Sequence, residues 1–227
     1  DYLALLPVLG CFLLVLAVPD PALWRLTYAD RDLPAAEKQR LMAAYRRFVQ
    51  RHLYFHGEHR TFLSKNPSFT PFMATLADAF PDARFIGCLR NPTAAVPSQI
   101  NSIVIGGKLF DGRDTADYWR EGFLAMLDYY YRHLLEQLDA LPEGRGALSV
   151  METLAAAPGE SVSGFYRTFG WTPSPGYRAF LEGEDRRAAG YRSGHRYSLE
   201  NLGVDPARLA ATFGWVYDRF GYPRPTG

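Results

Sequence analysis

Three side chains in the middle of the chain have the types and spacing for anion chemistry. Lys65 is followed by Asn66-Pro67, Arg90 by Asn91-Pro92, and Ser98 stands eight residues after Arg90. Each Asn-Pro pair reads as a helix start, because Asn caps free backbone N–H groups and Pro fits the first helical position, where no donor is needed. Each cation therefore precedes the positive end of a helix, where a bound anion is favoured. The repeated pattern predicts an anionic site for phosphate or sulfate. Plainer roles stand beside it: a strand-end lysine at Lys65, an Arg90 ion pair with Asp82 or Asp78, and a helix-surface serine at Ser98.

Metal chemistry has weaker support. His52 and His56 are one helical turn apart and His59 follows, but no HExxH pattern and no third ligand accompany them. Protonated histidines at a helix C-terminus suit its dipole, so the expectation is no metal. Cys11 and Cys88 lie in apolar stretches without metal-ligand spacing and read as reduced core thiols of an intracellular, cytoplasmic protein.

The elements that position these residues follow from periodicity. Residues 84–89, apolar and bounded by Pro81-Asp82 and Asn91-Pro92, read as a buried strand, and a shorter apolar run leads into Lys65. Between them Phe72, Met73, Leu76 and Phe80 recur at helical intervals. The expected order is strand, helix, strand, helix, the crossover of a parallel sheet. Lys65 and Arg90 would then lie at strand carboxyl ends, the edge where open α/β sheets bind ligands.

Around this centre, residues 3–18 are apolar but interrupted by Pro7 and Gly10. They fall short of the roughly 20 residues that span a bilayer and read as a buried helix or two short ones. A helix after Leu33-Pro34 places Leu41, Met42, Tyr45, Phe48, Val49 and Leu53 on one face. The longest helix, 115–138, has Trp119, Phe123, Met126, Leu127, Tyr130, Leu134, Leu135 and Leu138 as its apolar face. A short strand at 147–150 and helices at 161–169, 174–181 and 206–220 complete the order. With 227 residues, 48% hydrophobic, the chain can bury the core of a single α/β domain spanning 1–227. A balance of 25 basic and 24 acidic side chains gives no electrostatic case for nucleic-acid or membrane-surface binding.

The stretches LSKNP and FPDARFIGCLRNPTAAVPS closely resemble the centre of sulfotransferases that use 3′-phosphoadenosine 5′-phosphosulfate (PAPS), especially bacterial proteins related to tyrosylprotein sulfotransferases. There a K-x-P pattern precedes a helix, followed by F-P-x-A-(R/K)-F and R-(D/N)-P-x5-S. Downstream, residues 146–158 are similar to the family's strand and L-x-x-x-P stretch, and 165–175 to its Y-x-x-x-G-x-x-x-x-P. His195-Arg196-Tyr197-Ser198-Leu199-Glu200 is similar to its C-terminal H-K-Y-S-L-E.

The resemblance implies a three-layer, P-loop-NTPase-like α/β fold with a short central parallel sheet and PAPS as sulfuryl donor, without a metal. It implies that Arg90 and Ser98 hold the donor's 3′-phosphate, that Lys65 is the catalytic cation beside the transferring group, and that Arg192, His195 and Arg196 close over the nucleotide. The acceptor class would be a small molecule, lipid or carbohydrate bearing a hydroxyl or amine; no general base matches a motif. One departure stands out. The family's strand and R-S-G-T-(S/T) loop, which cradles the phosphosulfate, is not found here, nor is a Walker A sequence. The expectation is a sulfotransferase truncated at its N-terminus, with Asp1 in place of Met, or a derived non-catalytic nucleotide-binding or interaction domain.

Overall fold

Pro7 and Gly10 break the apolar N-terminal run, and short helical pieces replace a continuous helix. In the computed structural model, which describes residues 2–18, 20–111, 116–190, 199 and 202–225, α1 covers Tyr2–Leu5. Tight 3₁₀ turns follow at Leu6–Val8, Phe12–Leu16 and Pro21–Tyr28. The chain divides into two units, Asp1–Asp82 with Ile105–Asp114, and Ala83–Val104 with Thr115–Gly227.

The first unit is helical. After α2 (Ala29–Asp32), Leu33-Pro34 turns the chain into α3 (Ala35–His56), which buries Leu41, Met42 and Tyr45 and ends at Gly57 with φ +116°. That value lies in the region only glycine enters without strain. A 3₁₀ turn at Pro67–Phe72 then leads into α4 (Met73–Ala79). The Asp30 carboxylate accepts from the N–H groups of Ala74 at 2.8 Å and Thr75 at 3.1 Å, satisfying donors that the first turn of α4 leaves free.

The expected strand before Lys65 does not form. Residues 61–66 are irregular and Leu63 is 88% exposed. A strand is stable only within a ladder, and among the described residues this run has no partner. Side chains hold it instead. Phe62 packs edge-on against Phe48 and His52 of α3, with ring centroids 6.1 and 5.0 Å apart.

The second unit carries the sheet. β1 (Phe85–Leu89) pairs in parallel with β2 (Gly146–Val150) in the register Phe85↔Gly146 to Leu89↔Val150. Between them run α5 (Pro92–Asp111) and α6 (Ala116–Ala140). The rest of the unit comprises α7 (Met151–Ala156), α8 (Pro158–Thr168), α9 (Pro175–Ala188) and α10 (Pro206–Phe220). α6 lies close on the strands because Gly87 has no Cβ: one built there would stand 2.7 Å from Leu138 and 3.0 Å from Leu134.

The β1 strand is buried on one face only. Gly87 and Leu89 are inside while Ile86 and Cys88 are exposed, so Cys88 is not the core thiol expected of it. The period-2 alternation of a strand supplies the reason, since neighbouring residues must face opposite ways. The buried face of α6 also differs from the expected one: Leu124 and His133 are buried too, and Leu138 is half-buried. Tyr131, at 5% exposure, takes the place expected of Tyr130. Positions 127, 131 and 134 keep helical spacing, and the Tyr131 hydroxyl finds a partly buried acceptor in the Arg90 carbonyl. Among the described residues no helix is long and apolar enough to cross a membrane.

Candidate anion site at the carboxyl edge of the sheet

Arg90 follows β1 directly and is half-buried. Asn91 caps α5 as its residue type implies: its Oδ1 accepts from the Thr93 N–H at 2.9 Å, and its carbonyl accepts from Ala94 and Ala95, both at 2.9 Å. Pro92 has no N–H to give. The Asn91 N–H itself is donated to Glu152 Oε1 at 3.1 Å. The first turn therefore spends its donors internally, and what remains for a ligand is the helix dipole together with side chains.

Two such side chains are uncommitted. Among the described residues neither the Arg90 guanidinium nor the Ser98 hydroxyl has a hydrogen-bond or ion-pair partner, so the alternative pairing of Arg90 with Asp82 or Asp78 is not made. Ser98 lies seven residues beyond the Asn91 cap, two turns along α5 on the same face. The buried stripe of Val96, Ile100 and Ile103 occupies the opposite side. Arg90 and Ser98 thus belong to a single strand–helix junction, one at its start and the other two turns along α5.

The junction is held from three sides. Tyr131 of α6 donates its O–H to the Arg90 carbonyl at 2.5 Å. Glu152, at the start of α7, accepts from Asn91 and, through Oε2, from the Tyr222 hydroxyl at 3.0 Å. Thr93 Oγ1 and the Tyr217 hydroxyl of α10 share a hydrogen bond of 2.9 Å. Thr93, Glu152, Tyr217 and Tyr222 were not singled out from the sequence. The one local signal was a carboxylate two residues beyond a strand end.

Burial raises the ionisation of Tyr131 and Tyr217 above the ordinary tyrosine range. The folded state keeps these phenols neutral where an unfolded chain would ionise them. Their stabilisation is therefore complete below about pH 10 and is lost as pH rises toward the raised values. Urea unfolding followed against pH should show Tyr131→Phe losing about 1 kcal/mol at neutral pH with the Arg90 hydrogen bond, while declining less steeply above about pH 10.

Lys65 belongs to the first unit and is exposed. Its backbone is fixed on both sides. Ser64 hydrogen-bonds the Tyr45 hydroxyl, and Asn66 Oδ1 caps the Pro67–Phe72 turn by accepting from Ser68 N–H at 3.0 Å. Among the described residues the Lys65 ammonium has no partner. Arg192, His195 and Arg196 lie outside the described residues. His52 and His56, with ring centroids 4.3 Å apart, line a cleft of ≈ 250 Å³ together with the cation Arg60, an environment that disfavours a metal ion.

Comparison with known proteins places these observations in a family context. A sequence model described as the sulfotransferase family matches residues 18–172. No curated protein matches the sequence. Among solved structures, sulfotransferase STF9 from Mycobacterium avium superposes with a TM-score of 0.58 at 20% identity, over 70% of this chain and 41% of that one. The chain therefore spans less than half the length of that structure, and the likeness concerns the fold.

Proposed function

The chain belongs to the sulfotransferase family, and from that premise we propose that it uses PAPS as sulfuryl donor for a hydroxyl or amine acceptor, with Arg90 and Ser98 as ligands of the donor's 3′-phosphate. The observation that carries this reading is Arg90: a half-buried arginine at a strand carboxyl end, whose guanidinium has no carboxylate partner among the described residues. Withdrawing a cation from water without a partner is costly, so such a group fits a site completed by an anion. Its planar fork suits two parallel charge-assisted bonds to phosphate, and the Ser98 hydroxyl suits a third oxygen.

Bound there, the donor supplies a sulfuryl group whose bond to the bridging phosphate oxygen breaks as the acceptor oxygen or nitrogen bonds to sulfur, leaving adenosine 3′,5′-bisphosphate with that oxygen and releasing the acceptor's proton. Lys65, a cation without a partner among the described residues and on a fixed backbone, is the group we assign to stabilise negative charge developing on that bridging oxygen. A small-molecule, lipid or carbohydrate acceptor is compatible with the reading. We place the activity in the cytoplasm, in keeping with two cysteines that form no disulfide.

Calorimetric titration tests the 3′-phosphate assignment. Adenosine 3′,5′-bisphosphate should bind at least about a hundredfold more tightly than adenosine 5′-monophosphate, the difference of two charge-assisted phosphate contacts. Equal affinities would remove the assignment. A second reading is a nucleotide-binding domain without transfer. It predicts the same nucleotide preference but no transfer of labelled sulfate from PAPS to any acceptor.

A further inference from the structure

We propose that Glu152 is a positioning residue for Arg90, holding the peptide group through which the arginine enters the anion site; the proposal rests on the reading of Arg90 as a phosphate ligand. The register pairs Leu89 with Val150, so residues two beyond each strand end, Asn91 and Glu152, come abreast. Glu152 Oε1 accepts the Asn91 N–H at 3.1 Å while Tyr131 donates to the Arg90 carbonyl at 2.5 Å. These are the two polar ends of one peptide unit. Fixing both sets the plane of that unit, and with it the direction in which the Arg90 side chain leaves the backbone.

The carboxylate is itself held. Oε2 accepts the Tyr222 hydroxyl at 3.0 Å, and the Tyr222 N–H is bonded to the Tyr217 carbonyl at 3.0 Å. Tyr217 in turn shares a hydrogen bond with Thr93, in the first turn of α5, so the chain of bonds closes on the junction where it began. A carboxylate at this edge opposes an incoming anion by charge alone. Its presence there is accounted for by the hydrogen bond to Asn91, and the two effects have opposite signs in a binding experiment.

The test compares adenosine 3′,5′-bisphosphate binding by wild type, Glu152→Ala, Glu152→Gln and Arg90→Ala, each with thermal unfolding measured in parallel. Glu152→Ala should weaken binding about tenfold, because the peptide unit loses one anchor and Arg90 its fixed direction. Glu152→Gln keeps an acceptor for the Asn91 N–H and should remain within about threefold of wild type. Glu152 is exposed, so truncation leaves the core intact; should the alanine variant unfold, Glu152→Asp, one methylene too short, serves in its place. Binding by Glu152→Ala as tight as or tighter than wild type would overturn the proposal, leaving charge repulsion as the residue's effect. Glutamine as weak as alanine would overturn it too. If Arg90→Ala leaves binding unchanged, the phosphate reading itself fails; if Arg90→Ala loses binding while Glu152→Ala does not, only the role of Glu152 fails.

Discussion

Replacing Arg90 with alanine should weaken adenosine 3′,5′-bisphosphate binding by about a hundredfold, corresponding to about 3 kcal/mol for two charge-assisted hydrogen bonds. The same substitution should leave thermal stability unchanged or slightly raised, because in the free protein the guanidinium has no partner among the described residues. That combination is diagnostic. An arginine serving a structural ion pair would lose stability on removal, and one merely solvated at a helix start would lose neither stability nor affinity. Arg90→Lys should retain part of the affinity, weakening binding by about tenfold, since the charge survives and the planar fork does not. Calorimetry on the three proteins at one ionic strength separates these cases; undiminished binding by Arg90→Ala would end the assignment.

The largest expected effect on folding is at Gly159. Gly159 opens α8, and a Cβ there would stand 2.1 Å from the backbone oxygen of Leu181 in α9. Backbone cannot rotate away as a side chain can, so α8 and α9 would have to separate. The separation would also strain the cap in which Asp185 accepts from the N–H groups of Gly159 at 2.6 Å and Glu160 at 3.1 Å. Gly159→Ala should therefore destabilise by about 3 kcal/mol or more, at the upper end for overpacking. Gly183, two residues beyond Leu181 in α9, provides the contrast. The space at its Cβ position is open apart from an Arg186 nitrogen at 3.9 Å. Gly183→Ala should stabilise by about 0.5–1 kcal/mol through helix propensity. Urea midpoints of the pair, moving in opposite directions, check the α8–α9 packing.

How much of this was legible beforehand can be judged residue by residue. The strand ending at Leu89, the Asn91 cap and Pro92 at the helix start were readable because they depend on neighbours in sequence. The same holds for α10, whose expected span 206–220 is the observed Pro206–Phe220. The run before Lys65 had comparable local features and formed no strand, because pairing depends on a partner that sequence neighbours do not supply. Cys88 turned outward for a related reason: an apolar run shows that a strand is wanted, not whether one face or both will be covered.

By itself, then, the sequence determined the family, the helix caps and the placing of Arg90 at the end of a strand, since each follows from residue types within a few positions of one another. Tertiary structure alone decided that Arg90 stands without a partner among the described residues and that Tyr131 replaces Tyr130 in the core. It alone joined Glu152 to Asn91, 61 residues earlier. Burial and pairing between residues so far apart are properties of the packed chain, set by which surfaces meet when the strands align, and no local pattern carries them.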